Sequence, residues 1–150
     1  MGTLNTKLTL TGTSADFGAA LSLSVEKGLD VIKPYGSISK LNVTTDSDAD
    51  AAAGIANIIL RNVDARRFVY IKHNGIDSSG AAVTTDLLVK NFEGETSGNG
   101  TQIMSLKKDE FALFPYDNGV DPASGDDNQL ILQASSGTIN VDFAVFTVAT

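Results

Sequence analysis

The sequence predicts an all-β protein, a single antiparallel β-sandwich of about eight strands that spans residues 1–150. Apolar and polar residues alternate along the last strand segment, where Ile139, Val141, Phe143 and Val145 share one side of an extended chain. Similar segments recur at intervals of about 8 to 15 residues, with turn residues between them. Aspartate, which favours turns where glutamate favours helices, supplies 14 of the 18 acidic residues.

The composition is that of one folded domain. The 150 residues are 42% hydrophobic and 19% charged, and a chain of this length buries roughly 70% of the surface that its unfolded form exposes. There is no cysteine, which excludes a disulfide framework and a thiolate metal site. Neither a leader-like segment nor a run of about 20 apolar residues occurs, so we expect no membrane partner.

Three strand segments are predicted before residue 45. They cover residues 7–10, 20–25 and 29–43, with a turn at 12–16. We expect Lys27-Gly28 to break the second segment, because glycine weakens the interior of a strand. Pro34 and Gly36 interrupt the third segment. Proline lacks the N–H that a β-ladder needs, so this region should lie at an edge or change direction there.

The middle of the chain predicts one pair of strands and one ambiguous segment. Residues 46–53 (D-S-D-A-D-A-A-A) predict either a single helical turn or a plain loop, since acidic residues favour a helix N-terminus. Residues 55–63 and 68–72 are expected to pair as a hairpin across the turn at 62–65. Residues 67–72 are apolar on both faces, which predicts a central strand.

The second half of the chain predicts short strands separated by clear turns. Asn74-Gly75, Ser79-Gly80 and Ser135-Ser136-Gly137 are turn sequences. The predicted strands between and after them cover residues 86–92, 101–106, 111–114, 129–134 and 138–148. Among sandwiches we favour a jelly roll, with an immunoglobulin-like sandwich as the alternative, because the Cys…Trp…Cys pattern of immunoglobulin domains is absent.

No catalytic, cofactor-binding or metal-binding motif is evident in the sequence. His73, the sole histidine, stands beside a turn dipeptide and is expected to be a solvated turn residue. The chain contains no nucleophile elbow and no phosphate-binding glycine loop. We therefore predict no enzyme activity, no catalytic residues, no cofactor and no metal.

Two acidic segments are candidates for calcium sites. Asp46, Asp48 and Asp50 have the spacing of a calcium loop, but the glycine and the final glutamate that such a loop needs are absent. Residues 117–127 carry four further aspartates, for which a solvated surface loop is the favoured interpretation. Neither segment predicts a metal site.

The charge distribution excludes one partner class and suggests a contact patch. A net charge of −7 argues against nucleic-acid binding, which depends on neutralising phosphates with cations. The three arginines, Arg61, Arg66 and Arg67, fall within seven residues. Arginine favours bidentate carboxylate pairs and interface hot spots. These residues therefore predict either an internal pair, for example with Asp64 or Asp86, or a contact patch for a carboxylate-bearing protein.

Two segments of the chain together resemble a pattern of tailed-bacteriophage proteins. The first runs Ile59-Leu60-Arg61-Asn62-Val63-Asp64 and continues with Arg67-Phe68-Val69-Tyr70-Ile71. The second is Met104-Ser105-Leu106-Lys107-Lys108-Asp109-Glu110-Phe111-Ala112-Leu113-Phe114-Pro115. Over about residues 55 to 116 these segments resemble two hairpins of small β-sandwich virion proteins. Asp109 stands where that pattern usually has glycine.

The resemblance implies a virion structural protein made in the host cytoplasm. The first expectation is a capsid decoration (cement or auxiliary) protein on the capsid surface, a homotrimer whose partner is the major capsid protein. The alternative is a tail, baseplate or head-fibre module. A third is a carbohydrate-binding adhesin, whose sugars would stack on Tyr35, Tyr70 or Tyr116, although the chain has no tryptophan.

The last strand carries a further prediction. Phe146 and Val148 place apolar groups on the face that Asn140 and Asp142 occupy earlier in the strand. We expect that face to be covered near the end of the strand, by a neighbouring subunit or by the N-terminal part of the chain. Phe146 and Val148 therefore join the three arginines as predicted partner-interface residues.

Overall fold

The described part of the chain folds into two antiparallel β-sheets with no helix. A computed structural model describes residues 2–12, 21–34, 38–45, 57–61, 67–92, 100–116 and 129–148. These ranges contain ten strands: β1 Gly2–Gly12, β2 Leu21–Pro34, β3 Ser39–Val43, β4 Ile58–Arg61, β5 Arg67–His73, β6 Leu87–Phe92, β7 Thr101–Leu106, β8 Phe111–Tyr116, β9 Gln129–Ala134 and β10 Ile139–Val148. The predicted all-β antiparallel fold is confirmed.

The strands divide into a large sheet and a small sheet. The large sheet has the order β1-β2-β10-β5-β8, and β3 also pairs with β10. The small sheet has the order β4-β9-β6-β7. β5 lies between β10 and β8 and its residues alternate between buried and half-buried, so the predicted central position of residues 67–72 is confirmed.

The pairing of the last eight strands is nested along the chain. β3 pairs with β10, β4 with β9, β5 with β8, and β6 with β7. This is the pairing that results when a long hairpin is rolled up so that alternate strand pairs fall in different sheets, as in a jelly roll. The two strands beyond the predicted number of about eight, β1 and β2, form a hairpin added to the large sheet.

The core lies between the inner faces of the two sheets. Val69, Ile71 and Val141 of the large sheet pack in one cluster with Leu87 and Leu132 of the small sheet, all fully buried. Successive residues of a strand point to opposite faces, so burying every second residue accounts for the alternating pattern of β5. Each fully buried Val or Leu side chain stabilises the fold by about 1.5–3 kcal/mol.

Two predicted strand pairings are wrong. β4 pairs with β9 in the small sheet, whereas β5 lies in the large sheet, so residues 55–63 and 68–72 do not form a hairpin. β7 and β8 likewise belong to different sheets. Each of the two segments that resemble hairpins of virion proteins therefore connects a strand of one sheet to a strand of the other sheet. The connecting segments are as short as typical hairpin loops, which is why the sequence resembles a hairpin.

The predicted break at Lys27-Gly28 is also wrong. β2 continues through it, and Gly28 stays in register opposite Asn5 of β1. The predicted break near Pro34 is confirmed, because β2 ends there and β3 starts at Ser39, both along one side of β10. The β1 pairing reaches only Val31, so the one described strand beside Pro34 is β10.

Several sequence predictions fall outside the described residues. The helical turn or loop at 46–53, the acidic segment at 117–127, the turn at 62–65, Tyr35 and Arg66 belong to this group.

Candidate functional site

His73 is a buried structural residue and not the solvated turn residue that was expected. It is fully buried at the end of β5. Its Nδ1 accepts a hydrogen bond from the backbone N–H of Gly75 at 2.9 Å. Nε2 lies 2.8 Å from the carbonyl oxygen of Thr85, to which it donates, since a carbonyl can only accept. Both ring nitrogens are thus engaged with the backbone.

The corner between β7 and β8 is built around an aspartate with a left-handed backbone. Asp109 has a φ of 65°, and it is the only described non-glycine residue with positive φ. Around it, the backbone N–H of Lys107 donates to Oε2 of Glu110 at 2.7 Å, and the N–H of Glu110 donates to the Lys107 carbonyl at 3.0 Å. Aspartate is among the few residues that tolerate this region, which accounts for Asp109 where the resembled pattern has glycine.

The corner is also tied to the strand that carries His73. The backbone N–H of His73 donates to the carbonyl of Glu110 at 2.9 Å, and the N–H of Asp109 donates to the carbonyl of His73 at 3.1 Å. On the solvent side, Lys107 Nζ lies 2.6 Å from Oδ2 of Asp86. These bonds fix one end of the sandwich as a rigid unit, and none of them points to a reacting group.

No metal site is formed by the described residues. They contain no group of three or more His, Cys, Asp or Glu side chains able to hold an ion. Asp77, the most strongly bonded carboxylate, caps its own turn: Oδ1 accepts from the N–H and the hydroxyl of Ser79 and from the N–H of Ala81, at 2.6–2.9 Å. The Ser79 hydroxyl, followed by the backbone N–H of Ala81, lowers the pKa of Asp77 below its ordinary value.

The outer face of the large sheet, which points away from the small sheet, is largely apolar. In β10, β5 and β8 the residues directly opposite one another form three rows across this face. The rows are Phe146–Phe68–Pro115, Ala144–Tyr70–Leu113 and Asp142–Lys72–Phe111. Phe111 is 64% exposed, and its ring lies 6.4 Å from that of Tyr70 between centroids. Only the last row carries charge, so most of this face is apolar. Phe111 and Leu113 are exposed, whereas Ala144 is buried.

The β1–β2 hairpin, called the arm below, reaches over this outer face. Leu8 and Val25 lie directly opposite each other in the arm, and they are 52% and 53% exposed. Between them and the outer face runs a groove of about 710 Å³, lined also by Ile38, Phe111 and Phe146. In the part of the chain that the structure describes, the arm therefore lies beside the Phe146 end of β10, across this apolar groove.

The arm is joined to the sandwich at one end. β1 pairs with β2 along its whole length, from Gly2 opposite Val31 to Gly12 opposite Leu21. β2 pairs with β10 only through its last residues, where Pro34 lies opposite Phe146 and Val31 opposite Val148. Leu23, farther along the arm, is 45% exposed. A two-stranded ribbon gains little stability on its own, so half-exposed Leu and Val side chains favour a role in contact with another surface.

Of the five predicted interface residues, Phe146 and Arg67 lie on opposite faces of the large sheet. Phe146 lines the groove on the outer face, whereas Arg67, 9% exposed, lies on the inner side with Val69 and Ile71. Arg61 ends β4 in the small sheet, Arg66 lies outside the described residues, and Val148 lies opposite Val31 at the base of the arm. Burial of Arg67 favours the internal interpretation for that residue. Asp86, one of its suggested partners, is bound to Lys107.

The sequence missed the arm as a unit because its strand segments look like ordinary strands of a sandwich. The one available signal was the spacing of Leu8, Leu23 and Val25, each of which alternates with Thr, Lys or Ser. That pattern predicts a half-buried ribbon but does not show how far the ribbon extends beyond the core.

Of the three tyrosines considered for sugar stacking, two are described. Tyr116 is 8% exposed, and its hydroxyl donates to Oδ1 of Asn91, so its ring is not offered to a ligand. Tyr70 lines the groove, half-buried against Phe111. A single half-buried tyrosine is a weak platform for a sugar.

Comparisons of the chain with protein-family models, with curated proteins and with solved structures found no match. In the ranges that the structure describes, no helix is long and apolar enough to cross a membrane.

Proposed function

We propose that this chain is a virion structural protein, a capsid decoration protein that stabilises a phage head by binding between major capsid subunits on the outside of the shell. The observation that carries the proposal is the arm: a long hairpin joined to the sandwich at its base, with Leu8, Leu23 and Val25 each about half exposed. Apolar side chains in this position, continuous with an apolar groove, mark a protein-contact surface.

The rest of the molecule suits a scaffold for that contact. The inner faces of the two sheets form one core, and the buried histidine is used to hold a turn. Such a body anchors the arm at its base, where β2 pairs with β10. A decoration protein of this kind is made in the host cytoplasm and acts in many copies on the capsid surface, where repetition makes individually weak contacts effective through avidity.

Two finer assignments belong to the same proposal. The nested pairing of β3 to β10 supports a jelly roll for the eight-stranded part, a fold that occurs among capsid and lectin proteins. The unfilled apolar groove supports a homotrimer around local three-fold positions of the shell, because each copy has apolar surface left to cover after its own arm is in place.

The alternative virion roles differ in where the protein is placed in the virion more than in the surface that it uses for contact. A tail, baseplate or head-fibre module would use the same arm on a different virion protein. A carbohydrate-binding adhesin is less well supported, because of the two described tyrosines Tyr116 is buried against Asn91 and only Tyr70 faces the groove.

Co-sedimentation tests the proposal. Purified chain is mixed with expanded empty capsids assembled from the major capsid protein encoded in the same genome, and the capsids are pelleted over a range of salt concentrations. We expect saturable co-sedimentation with the wild-type chain. The double variant Leu8→Thr/Val25→Thr should reduce binding by about tenfold or more, since removing one or two buried apolar side chains costs a contact about 1.5–3 kcal/mol each.

Ile103→Thr is the matched control, because Ile103 is 45% exposed but lies in β7 of the small sheet, away from the groove. It should leave binding unchanged. Failure of the wild-type chain to pellet with expanded capsids at any salt concentration would reject the decoration role. Binding that is lost equally in both variants would reject the arm as the contact.

A further inference from the structure

The groove between the arm and the outer face has the size and the lining of a small-molecule site. Leu8 and Val25 of the arm line one side of it, and residues of β10, β5 and β8 line the other. Its volume of about 710 Å³ falls in the range of about 300–1,000 Å³ that small-molecule sites occupy. Cavities with apolar walls take up apolar molecules. The groove therefore suits a small ligand that is mostly apolar.

The register of the large sheet sets the length of that ligand. Phe146 of β10 and Phe111 of β8 both line the groove. Phe146 is level with Pro115 of β8, four residues beyond Phe111, with β5 between the two strands. Strands about 4.8 Å apart and a rise of about 3.4 Å per residue separate the two phenylalanines by about 17 Å. An extended alkyl chain with C–C bonds of about 1.5 Å covers this distance with about 12 to 14 carbons.

The charge at the groove indicates the head group of the ligand. Among the described residues that line it, Lys7 is the only charged one, and none is Asp or Glu, although the chain has a net charge of −7. Glu26 lies opposite Lys7 on β2 but is not one of these lining residues. A single lysine matches a head group with one negative charge better than a phosphate group, which carries close to two. The charge therefore favours a carboxylate.

We propose that the groove binds one fatty acid of about 12 to 14 carbons, with the alkyl chain between the arm and the Phe146–Phe111 floor and the carboxylate at Lys7. The three observations behind the proposal are the two apolar walls, the length of the floor and the lone cation. This inference goes beyond the decoration role and does not rest on it, because the groove belongs to the single chain. It is therefore tested without capsids.

Calorimetric titration with fatty acids of increasing length tests the proposal. The chain is titrated with decanoate, dodecanoate, myristate and stearate, each below the concentration at which it forms micelles. We expect one fatty acid to bind per chain. Affinity should rise about fourfold for each added methylene that the groove buries, and it should level off beyond about 14 carbons, where further carbons extend past the floor.

Two pairs of variants locate the site. Phe111→Ser removes one end of the floor at a position that is 64% exposed, and it should weaken myristate binding about tenfold. Ile103→Ser, at a 45% exposed position in the small sheet, should leave binding unchanged. Lys7→Gln should weaken decanoate binding two- to fivefold, as is typical of an exposed ion pair, and leave 1-decanol binding unchanged. Lys40→Gln, on exposed β3, should affect neither ligand.

Four results would overturn the proposal. The first is no saturable binding of myristate. The second is affinity that continues to rise up to stearate, or that falls equally in Phe111→Ser and Ile103→Ser, since both describe adsorption to exposed apolar residues in general. The third is binding that weakens as the chain concentration rises while light scattering shows an oligomer, which would make a second copy the occupant of the groove. The fourth is equal weakening of decanoate and 1-decanol by Lys7→Gln, which would reject the carboxylate.

Discussion

The backbone N–H of Gly75 donates to Nδ1 of His73 across 2.9 Å, two residues back along the chain. A ring nitrogen that accepts a hydrogen bond carries no proton, so the proton lies on Nε2, which faces the Thr85 carbonyl at 2.8 Å. The imidazole is therefore a neutral brace between the end of β5 and the segment that leads into β6. This local unit holds the turn at one end of the sandwich.

Replacing His73 with alanine should lower the free energy of unfolding by about 3 kcal/mol. The substitution leaves a cavity at a fully buried position and removes the partners of the Gly75 N–H and the Thr85 carbonyl. Urea unfolding measures the change. Thr84→Ala, at an exposed neighbouring position, should change it by less than about 0.5 kcal/mol. A cost below 1 kcal/mol for His73→Ala would contradict the bracing role.

Gly75 and Gly80 make a matched pair for alanine substitution. Both have positive φ, 71° and 87°, so alanine should cost each about 1–2 kcal/mol. An added Cβ at Gly75 would also lie 2.8 Å from Cγ of Lys108, whereas nothing lies within 4 Å at Gly80. We therefore expect Gly75→Ala to lower the free energy of unfolding by about 1 kcal/mol more than Gly80→Ala does. Equal losses for the two variants in thermal unfolding would mean that Lys108 moves aside freely.

Asp77 should show a pH dependence set by Ser79. Its folded-state pKa lies below its unfolded-state value, so it stabilises the fold above the ordinary value of 3.8 and loses this contribution as pH falls through the lower folded pKa. Ser79→Ala removes the largest cause, and the pKa of Asp77 should rise towards 3.8. Carboxyl-carbon NMR titration measures it. Ser78→Ala is the control, and an unchanged pKa in Ser79→Ala would contradict the assignment.

Asp109 should tolerate only residues that accept a left-handed backbone. Because its φ is 65°, Asp109→Ala should destabilise the corner by about 1 kcal/mol, while Asp109→Asn and Asp109→Gly should stay within about 0.5 kcal/mol of wild type. Chemical unfolding of the three variants ranks them. Equal free energies of unfolding for the alanine and glycine variants of Asp109 would show that the backbone of the corner relaxes to negative φ.

Arg66 and Arg67 should behave differently. Arg67 is nine-tenths buried beside positions Tyr116 and Thr147, so Arg67→Ala should lower the free energy of unfolding by about 2 kcal/mol. For Arg66 the sequence predicts either an internal pair or a contact patch. If Arg66 belongs to the contact patch, Arg66→Ala should weaken capsid binding and leave the free energy of unfolding unchanged. Urea unfolding and co-sedimentation of both single variants provide the two readouts. If the Arg67→Ala variant is as stable as wild type but no longer binds capsids, Arg67 belongs to the partner interface and not to the internal structure.

The alternation along β10 predicted its two faces correctly because its inner residues, such as Val141 and Val145, enter one core. Sheet membership was not predictable from local pattern: the corner Lys107–Glu110 has the length and residue types of a hairpin loop, yet it joins strands of different sheets. The predicted strand break at Gly28 is wrong because Gly28 lies in a two-stranded ribbon, where no core packing depends on a side chain at that position.

The candidate contact surface was only partly predictable. Phe146 was expected to be covered, and the structure has it lining the groove under the arm. Leu8 and Val25, which lie on the other side of that groove, look in sequence like ordinary core-facing residues. Their exposure follows from the length of the arm beyond its junction at Pro34, which depends on which strands pair and not on any local residue pattern.

The central claim is that the arm fastens this protein to the outside of a phage head. The most direct measurement is an electron cryomicroscopy difference map between expanded capsids incubated with the chain and the same capsids without it. We expect density of sandwich size around local three-fold positions, with the β1–β2 hairpin against the shell and its Leu8 face buried. Absence of added density, or density attached through the small sheet with the arm in solvent, would contradict it.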